Sequence, residues 1–308
     1  MGTKIEWCDE TWNPIAGCSI VSPACTNCYA MAMAARIERM QPGGHYAGLT
    51  QPSKAGPVWT GKIVQAPDHV LTQPLRWKKP RKIFVNSMSD LFHESVPDEW
   101  IDRIFAVMAL SPQHTFQVLT KRPKRMRKWF ERWPDGITWK NQAGWPLPNV
   151  WLGVTAEDQP RADERIPDLL ATPAAKRFVS IEPMLGPVDL TRLSMGESDF
   201  EPVAGAGLDG VRRIRFTINS LDGVKSFKWP GLDWVICGGE SGPNARPMFV
   251  GHARDLMRQC QSAGVPFFMK QLGADPIWED GAFLNIRHRS GADPSEWPED
   301  LRVQEFPT

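Results

Sequence analysis

Residues 82–120 read KIFVNSMSDLFHESVPDEWIDRIFAVMALSPQHTFQVLT. The two ends, Lys82–Asn86 (KIFVN) and Thr115–Thr120 (TFQVLT), are apolar without strict alternation, the pattern of strands buried on both faces of a parallel sheet. Between them Ile101, Ile104, Phe105 and Met108 recur at helical spacing over Asp98–Leu110, with Ser95 or Asp98 available as a cap. One strand–helix–strand unit is therefore legible, and the rest of the chain repeats it. Further strands are expected at Val150–Thr155, Arg177–Ile181, Asp233–Cys237 and Val265–Met269, with an earlier one around Trp12–Ala16. A second helix is expected at His252–Ala263, where Leu256, Met257 and Cys260 share a face and Gly264 stands in the favoured terminating position. Six or seven such units predict an α/β fold, a (β/α) barrel or partial barrel of parallel strands. We read residues 1–308 as one domain, with insertions at about 41–80 and 186–230. The alternating VRRIRFTINSL in the second insertion predicts a hairpin or edge strand.

The 308 residues are 42% hydrophobic with a net charge of +1, so nothing global draws the chain to nucleic acid or to a membrane surface. No stretch reaches the roughly 18–20 apolar residues of a spanning helix, and MGTKIEWCDETWNP lacks a secretion signal's apolar core. A cytoplasmic location is expected, in which the six cysteines serve as thiols or metal ligands rather than disulfides.

Three of those cysteines crowd into WNPIAGCSIVSPACTNCYAMAMAARIERM. Cys18, Cys25 and Cys28 are spaced C-x6-C-x2-C, in a loop that follows a strand end and runs into an Ala- and Met-rich helix. Three thiolates so placed can hold three irons of a [4Fe–4S] cluster and leave the fourth open to a ligand. Cys8 could instead complete a four-thiolate zinc site, which would make the chain a zinc-stabilised nucleic-acid-binding module without catalysis, or a closed electron-carrying cluster, and free cysteines can also act as small buried hydrophobes. Cys237 and Cys260 read as core residues.

The cysteine loop resembles that of radical S-adenosylmethionine enzymes. The whole chain resembles an uncharacterised phage and bacterial radical-SAM-like family in TWNPIAGCS, CTNCYA, FVNSMSDLFH (84–93), WLGVTAE (151–157), SIEPMLGP (180–187), DWVICGGESGPNARP (233–247) and FFMKQLG (267–273). Two features depart from the enzymes: the first cysteine gap is longer, with Asn27 where an aromatic residue is usual. The second strand ends in NSMSD, while Gly-Gly-Glu appears only at Gly238–Glu240. The resemblance implies reductive cleavage of S-adenosylmethionine, an electron-donor protein and a substrate that includes nucleic acid or nucleotides among its candidates. No membrane partner is expected, on the near-neutral charge and the lack of a long apolar stretch.

In a barrel, ligands gather at the carboxyl ends of the strands. Ser87, Ser89 and Asp90 are expected at the methionine end. Tyr29 is a candidate for the adenine contact, Thr155, Glu157 or Glu182 for the ribose, and Gly238, Gly239 and Glu240 for the adenine side, where the two glycines allow close backbone approach. Each is also a plausible cap or turn residue. Lys121, Arg122 and Lys270 could face substrate or a polyanion. Lys121–Arg132 (KRPKRMRKWFER) and Arg76–Lys82 (RWKKPRK) are basic runs that would serve nucleic acid if they lay side by side, and otherwise solvated surface. His93 borders the NSMSD run.

Overall fold

The computed structural model describes residues 5–132, 144–200, 212–222 and 230–308. Seven strands form one parallel sheet: β1 (Glu10–Trp12), β2 (Lys82–Val85), β3 (Thr115–Thr120), β4 (Val150–Thr155), β5 (Lys176–Ile181), β6 (Trp234–Gly238) and β7 (Phe267–Gln271). They lie side by side in chain order, with no point at which the order reverses. A sheet wound in one direction collects its helices on one face and curls about the other. The result is a half-barrel, open between β1 and β7. Helices α1 (Tyr29–Met40), α2 (Asp98–Ala109), α3 (Pro123–Glu131), α4 (Gln159–Ala171) and α5 (Val250–Ala263) fill the connections.

The strands lack obvious alternation because both faces are apolar, yet the faces differ in partner. Ile83, Val85, Phe116, Val118, Leu152, Val154, Val179, Ile181, Val235 and Met269 join the helices' stripes in the main core. Among those stripes are the expected Ile101, Ile104, Phe105 and Met108 of α2, and Leu256, Met257 and Cys260 of α5. Cys237 packs there too. The alternate residues Phe84, Phe178, Trp234, Ile236 and Phe268 face the concave side, where Trp7 and Cys8 from the amino-terminal segment pack on them and Phe306 closes from the other terminus. Trp7 and Phe84 ring centroids are 4.7 Å apart, and Trp234 lies 5.3 Å from Phe306. The half-barrel thus has an aromatic floor built from strands and termini.

The expected strand at Trp12–Ala16 divides. Glu10–Trp12 joins the sheet, while Ile15–Ala16 pairs antiparallel with Val64–Gln65. The last strand begins at Phe267 rather than Val265, because Pro266 has no N–H for the ladder. Helix α2 begins at Asp98 after Pro97, with no side-chain cap. Within residues 41–80 lie a hairpin of Thr50–Ser53 with Gly56–Trp59 and a short helix, Asp68–Leu71. Leu193–Phe200 and Arg212–Ile218 form the hairpin read from the alternating segment. Residues 201–211 and 223–229 of that insertion lie outside the described residues. Among the described residues no helix is long and apolar enough to cross a membrane.

Candidate functional site

After Ala16 the chain turns through Gly17, at φ 97°, where an added Cβ would sit 2.1 Å from the Lys62 carbonyl oxygen. Only glycine satisfies both the backbone angle and the contact. The loop then carries Cys18, makes a single 3-10 turn at Pro23–Cys25, and reaches Cys28, the residue immediately before α1. All three thiols line one cavity of about 270 Å³ at the carboxyl ends of the strands. Cys8 lies beneath it in the aromatic floor and does not line it. Among the described residues no three His, Cys, Asp or Glu side chains converge as a single metal ion would require. The three thiols are spread around the cavity wall.

Three arginine–carboxylate pairs grip this loop. Asp90, after β2, accepts from Thr120 Oγ1 (2.6 Å) and the Phe92 N–H (3.0 Å) on one oxygen, and from the Lys121 N–H (3.0 Å) and Arg122 Nη1 (3.0 Å) on the other. Arg122 also donates to Glu94 (2.9 Å) and to Ser19 Oγ (2.7 Å), and its Nη1 lies 3.8 Å from Cys18 Sγ. His93 Nδ1 accepts from the Ser95 N–H, which places the ring proton on Nε2, 2.9 Å from the same Ser19 hydroxyl. Glu157, after β4, is 0% exposed; it accepts from Arg165 Nη1 (3.0 Å) and from the Ala24 N–H (3.3 Å). Glu240, after β6, accepts from Asn27 Nδ2 (2.9 Å) and from the backbone and guanidinium of Arg246, which in turn donates to the Pro23 carbonyl (2.9 Å).

Burial pushes both carboxyls up. The Ser22 hydrogen bond and the Arg165 charge at Glu157, and the Arg246 and Asn27 hydrogen bonds at Glu240, more than reverse it, so both stay below the usual glutamate range. The thiols go the other way. Burial, and then the Asp90 charge, push Cys18 up to about 12 against the pull of Arg122. Burial raises Cys28 too, against Lys121 and the backbone N–H groups that open α1. Unligated, these cysteines are protonated, and a positive group in the cavity would be needed to draw the protons off.

Of the residues singled out in the sequence, Tyr29, Ser87, Ser89, Asp90, Lys121, Arg122, Thr155, Glu182, Gly239, Glu240 and Lys270 line the cavity with the cysteines. Glu157 and Gly238 do not. Glu157 is enclosed by its arginine and the loop it tethers, and Gly238 is covered by the side chains of Glu182 and Gln271. Gly239 is small for a different reason than close ligand approach: a Cβ there would sit 2.2 Å from the Leu272 carbonyl oxygen. Tyr29 donates to the Ser87 carbonyl (2.8 Å). Ser87 and Ser89 donate their hydroxyl protons to Asn13 Oδ1 (3.1 Å) and the Ile15 carbonyl (2.9 Å), which leaves oxygen lone pairs toward the cavity. Lys270 pairs with Glu182, and Lys121 Nζ lies 3.4 Å from Thr155 Oγ1. Asp90, by contrast, has all four of its acceptor positions filled from within the protein.

The family described as "Protein of unknown function (DUF5131)" matches residues 2–293. The chain belongs to the DUF5131 family. No curated protein matches it, and no solved structure does.

The two basic runs of this DUF5131 chain do not combine. Arg76–Lys82 leads into the amino end of β2, whereas Lys121–Arg132 leaves the carboxyl end of β3, so a parallel sheet separates them by its full height. Most of the second run is already paired: Arg125 with Asp98, Arg127 with Glu131 and Asp168, Arg132 with Asp98 and Asp102. Met126, Trp129 and Phe130 are buried. That helix is a solvated face over a packed stripe. The sequence reading missed Arg165 and Arg246, which pin the cysteine loop, and singled out Asn27 only as a departure from an aromatic position and not as a tether. Arg246 stands six residues after Glu240 in one loop, a weak signal, and nothing local marks Arg165.

Proposed function

We propose that this DUF5131 chain is a radical S-adenosylmethionine enzyme whose [4Fe–4S] cluster is held by Cys18, Cys25 and Cys28. One observation carries the reading: among the described residues three thiols, and no fourth, line a single cavity at the carboxyl ends of a parallel half-barrel, on a loop anchored by three arginine–carboxylate pairs. Three protein thiolates leave one iron of such a cluster free for a ligand. Cys18, Cys25 and Cys28 would hold the cluster, which with an external reductant would supply the electron for reductive cleavage of S-adenosylmethionine to methionine and a hydrogen-abstracting 5′-deoxyadenosyl group.

The protein's own part is positioning. Arg122 and Lys121 supply positive charge beside Cys18 and Cys28 and offset the accumulation of thiolate charge. Ser87 and Ser89 offer hydroxyl oxygens to an ammonium group, and Tyr29 braces the turn that carries them. Asp90 acts through Arg122, holding it against Ser19 and Cys18. Thr155 and the Glu182–Lys270 pair complete the polar wall on which ribose hydroxyls can be received.

Anaerobic reconstitution followed by S-adenosylmethionine and a strong reductant tests this. The expected product is 5′-deoxyadenosine, formed by the wild type and absent in Cys25→Ala. A colourless protein that takes up one zinc per chain and forms no 5′-deoxyadenosine would overturn it.

A further inference from the structure

Asn86 stands at the carboxyl end of β2, 2% exposed, lining the cavity. Its backbone is satisfied: the N–H donates to the Trp12 carbonyl (2.8 Å), and the carbonyl accepts from Ser89. Its side chain is not. Both the amide nitrogen and the amide oxygen are buried without a partner. Leaving both unmatched is destabilising, and native structures seldom do so without a use for the group. Trp7, whose indole N–H is likewise buried and unpartnered, lines the same cavity, and Phe84 and Leu119 add apolar wall beside it. Lys121 and Lys270 stand on the polar side.

We infer that Asn86 reads the edge of a nucleobase. A carboxamide is complemented by a donor and an acceptor side by side in one plane, which is what a base edge presents. The apolar wall suits the faces of a flat ring, and the indole N–H suits a further ring acceptor. The lysines suit the ribose or phosphate of the attached nucleotide. This inference rests on the cavity and the amide and holds whether or not a cluster is present.

Asparagine also tolerates the φ of 61° found here, so the test must separate backbone from amide. Asn86→Gly keeps a residue at ease at positive φ and removes the amide; Asn86→Asp keeps the shape and replaces the donor. Adenosine, cytidine, guanosine and uridine would be titrated calorimetrically into the full chain, before and after reconstitution. At least one is expected to bind, and both variants should weaken it by about tenfold or more while melting close to the wild type. Should adenosine be bound, purine riboside, which lacks the 6-amino donor, should lose a comparable factor in the wild type and little further in Asn86→Gly. The wild-type half of that comparison needs no variant to fold. Displacement by S-adenosylhomocysteine would assign the base to the proposed cofactor, and simultaneous binding would assign it to a nucleotide substrate; both keep Asn86 as the reader. Equal affinities in wild type and Asn86→Gly, or no nucleoside bound at all, would overturn the inference. Either result with 5′-deoxyadenosine formation intact would leave the radical reading standing.

Discussion

The concave face of the half-barrel is built in two different ways at its two ends. At the amino end Phe84, Phe178, Trp234 and Phe268 meet Trp7 and Phe306 in a packed aromatic floor, with the Trp234 indole N–H donating to the Glu305 carbonyl (2.8 Å). At the carboxyl end the same strands carry Asn86, Lys121, Thr155, Glu182 and Lys270, and the connections add the cysteines and their arginine–carboxylate pairs. The floor is closed by packing except at the Trp7 indole N–H, which lacks a partner where it borders the cavity. The rim is nearly satisfied from within, and its three thiols and one orphaned amide are the groups to which we assign a ligand. The contrast teaches that polarity alone does not mark a site here. Asp90 and Glu240 are as polar as any residue in the cavity, yet their acceptors are already engaged by the protein.

The contrast can be broken most severely by opening each end in turn. Trp234→Ala removes the centre of the floor and should cost about 3–5 kcal/mol of stability. Arg165→Met strands the fully buried Glu157 carboxylate and should cost a similar 3–5 kcal/mol or so. The two should part in iron content: folded Trp234→Ala should reconstitute like the wild type, and Arg165→Met should not, because Glu157 tethers Ala24 between two cysteines. Denaturant melts with iron analysis on the folded fraction would show it. Equal iron retention in both would mean that the pair only braces α4.

Next in size is Glu240→Gln. It releases part of the clamp on Asn27 and Arg246 and should weaken iron retention by about 10- to 100-fold, as loss of an outer partner typically does. Competition with a chelator measures it.

How much of this was legible beforehand follows from where each partner lies in the chain. The strands KIFV and TFQVLT announce themselves as apolar runs, but both faces are apolar, so only the fold shows which residues face the floor. The cysteine spacing is local and readable. The restraint on it is not: Glu157 meets Ala24 across 133 positions and Asn27 meets Glu240 across 213. Sequence reading placed Asp90 against a ligand's amino group because it could not see four donors already converging on it. Asn86 was visible as a polar strand end, but an unpartnered amide is a property of surroundings and not of spacing.

Acid should expose the rim before the floor. Burial first, then Arg122, lowers His93 below its ordinary value of 6.5, so the neutral ring is the form the fold favours. Its contribution is full above about pH 6.5 and is lost as pH falls through the lower folded value. Glu157 and Glu240 sit below the ordinary 4.5, so their contribution is full above that pH and is lost as acid protonates them in the fold. Melting temperature against pH should therefore fall in two stages, the upper one absent in His93→Gln. A single stage in both proteins would remove His93 from the account. The smallest effect is expected on the outer surface: Lys124→Gln, at an exposed position of α3, should change stability by less than about 0.5 kcal/mol and leave iron content unchanged.

The most direct test of the central claim is the count of iron and sulfide in anaerobically reconstituted wild type, Cys8→Ala and Cys25→Ala. About four irons and four sulfides in the wild type and in Cys8→Ala, with none in Cys25→Ala, is the predicted result, since the proposal gives the cluster to the three cavity thiols and Cys8 belongs to the floor. Loss of the cluster in Cys8→Ala, or one zinc in place of iron in the wild type, would contradict it.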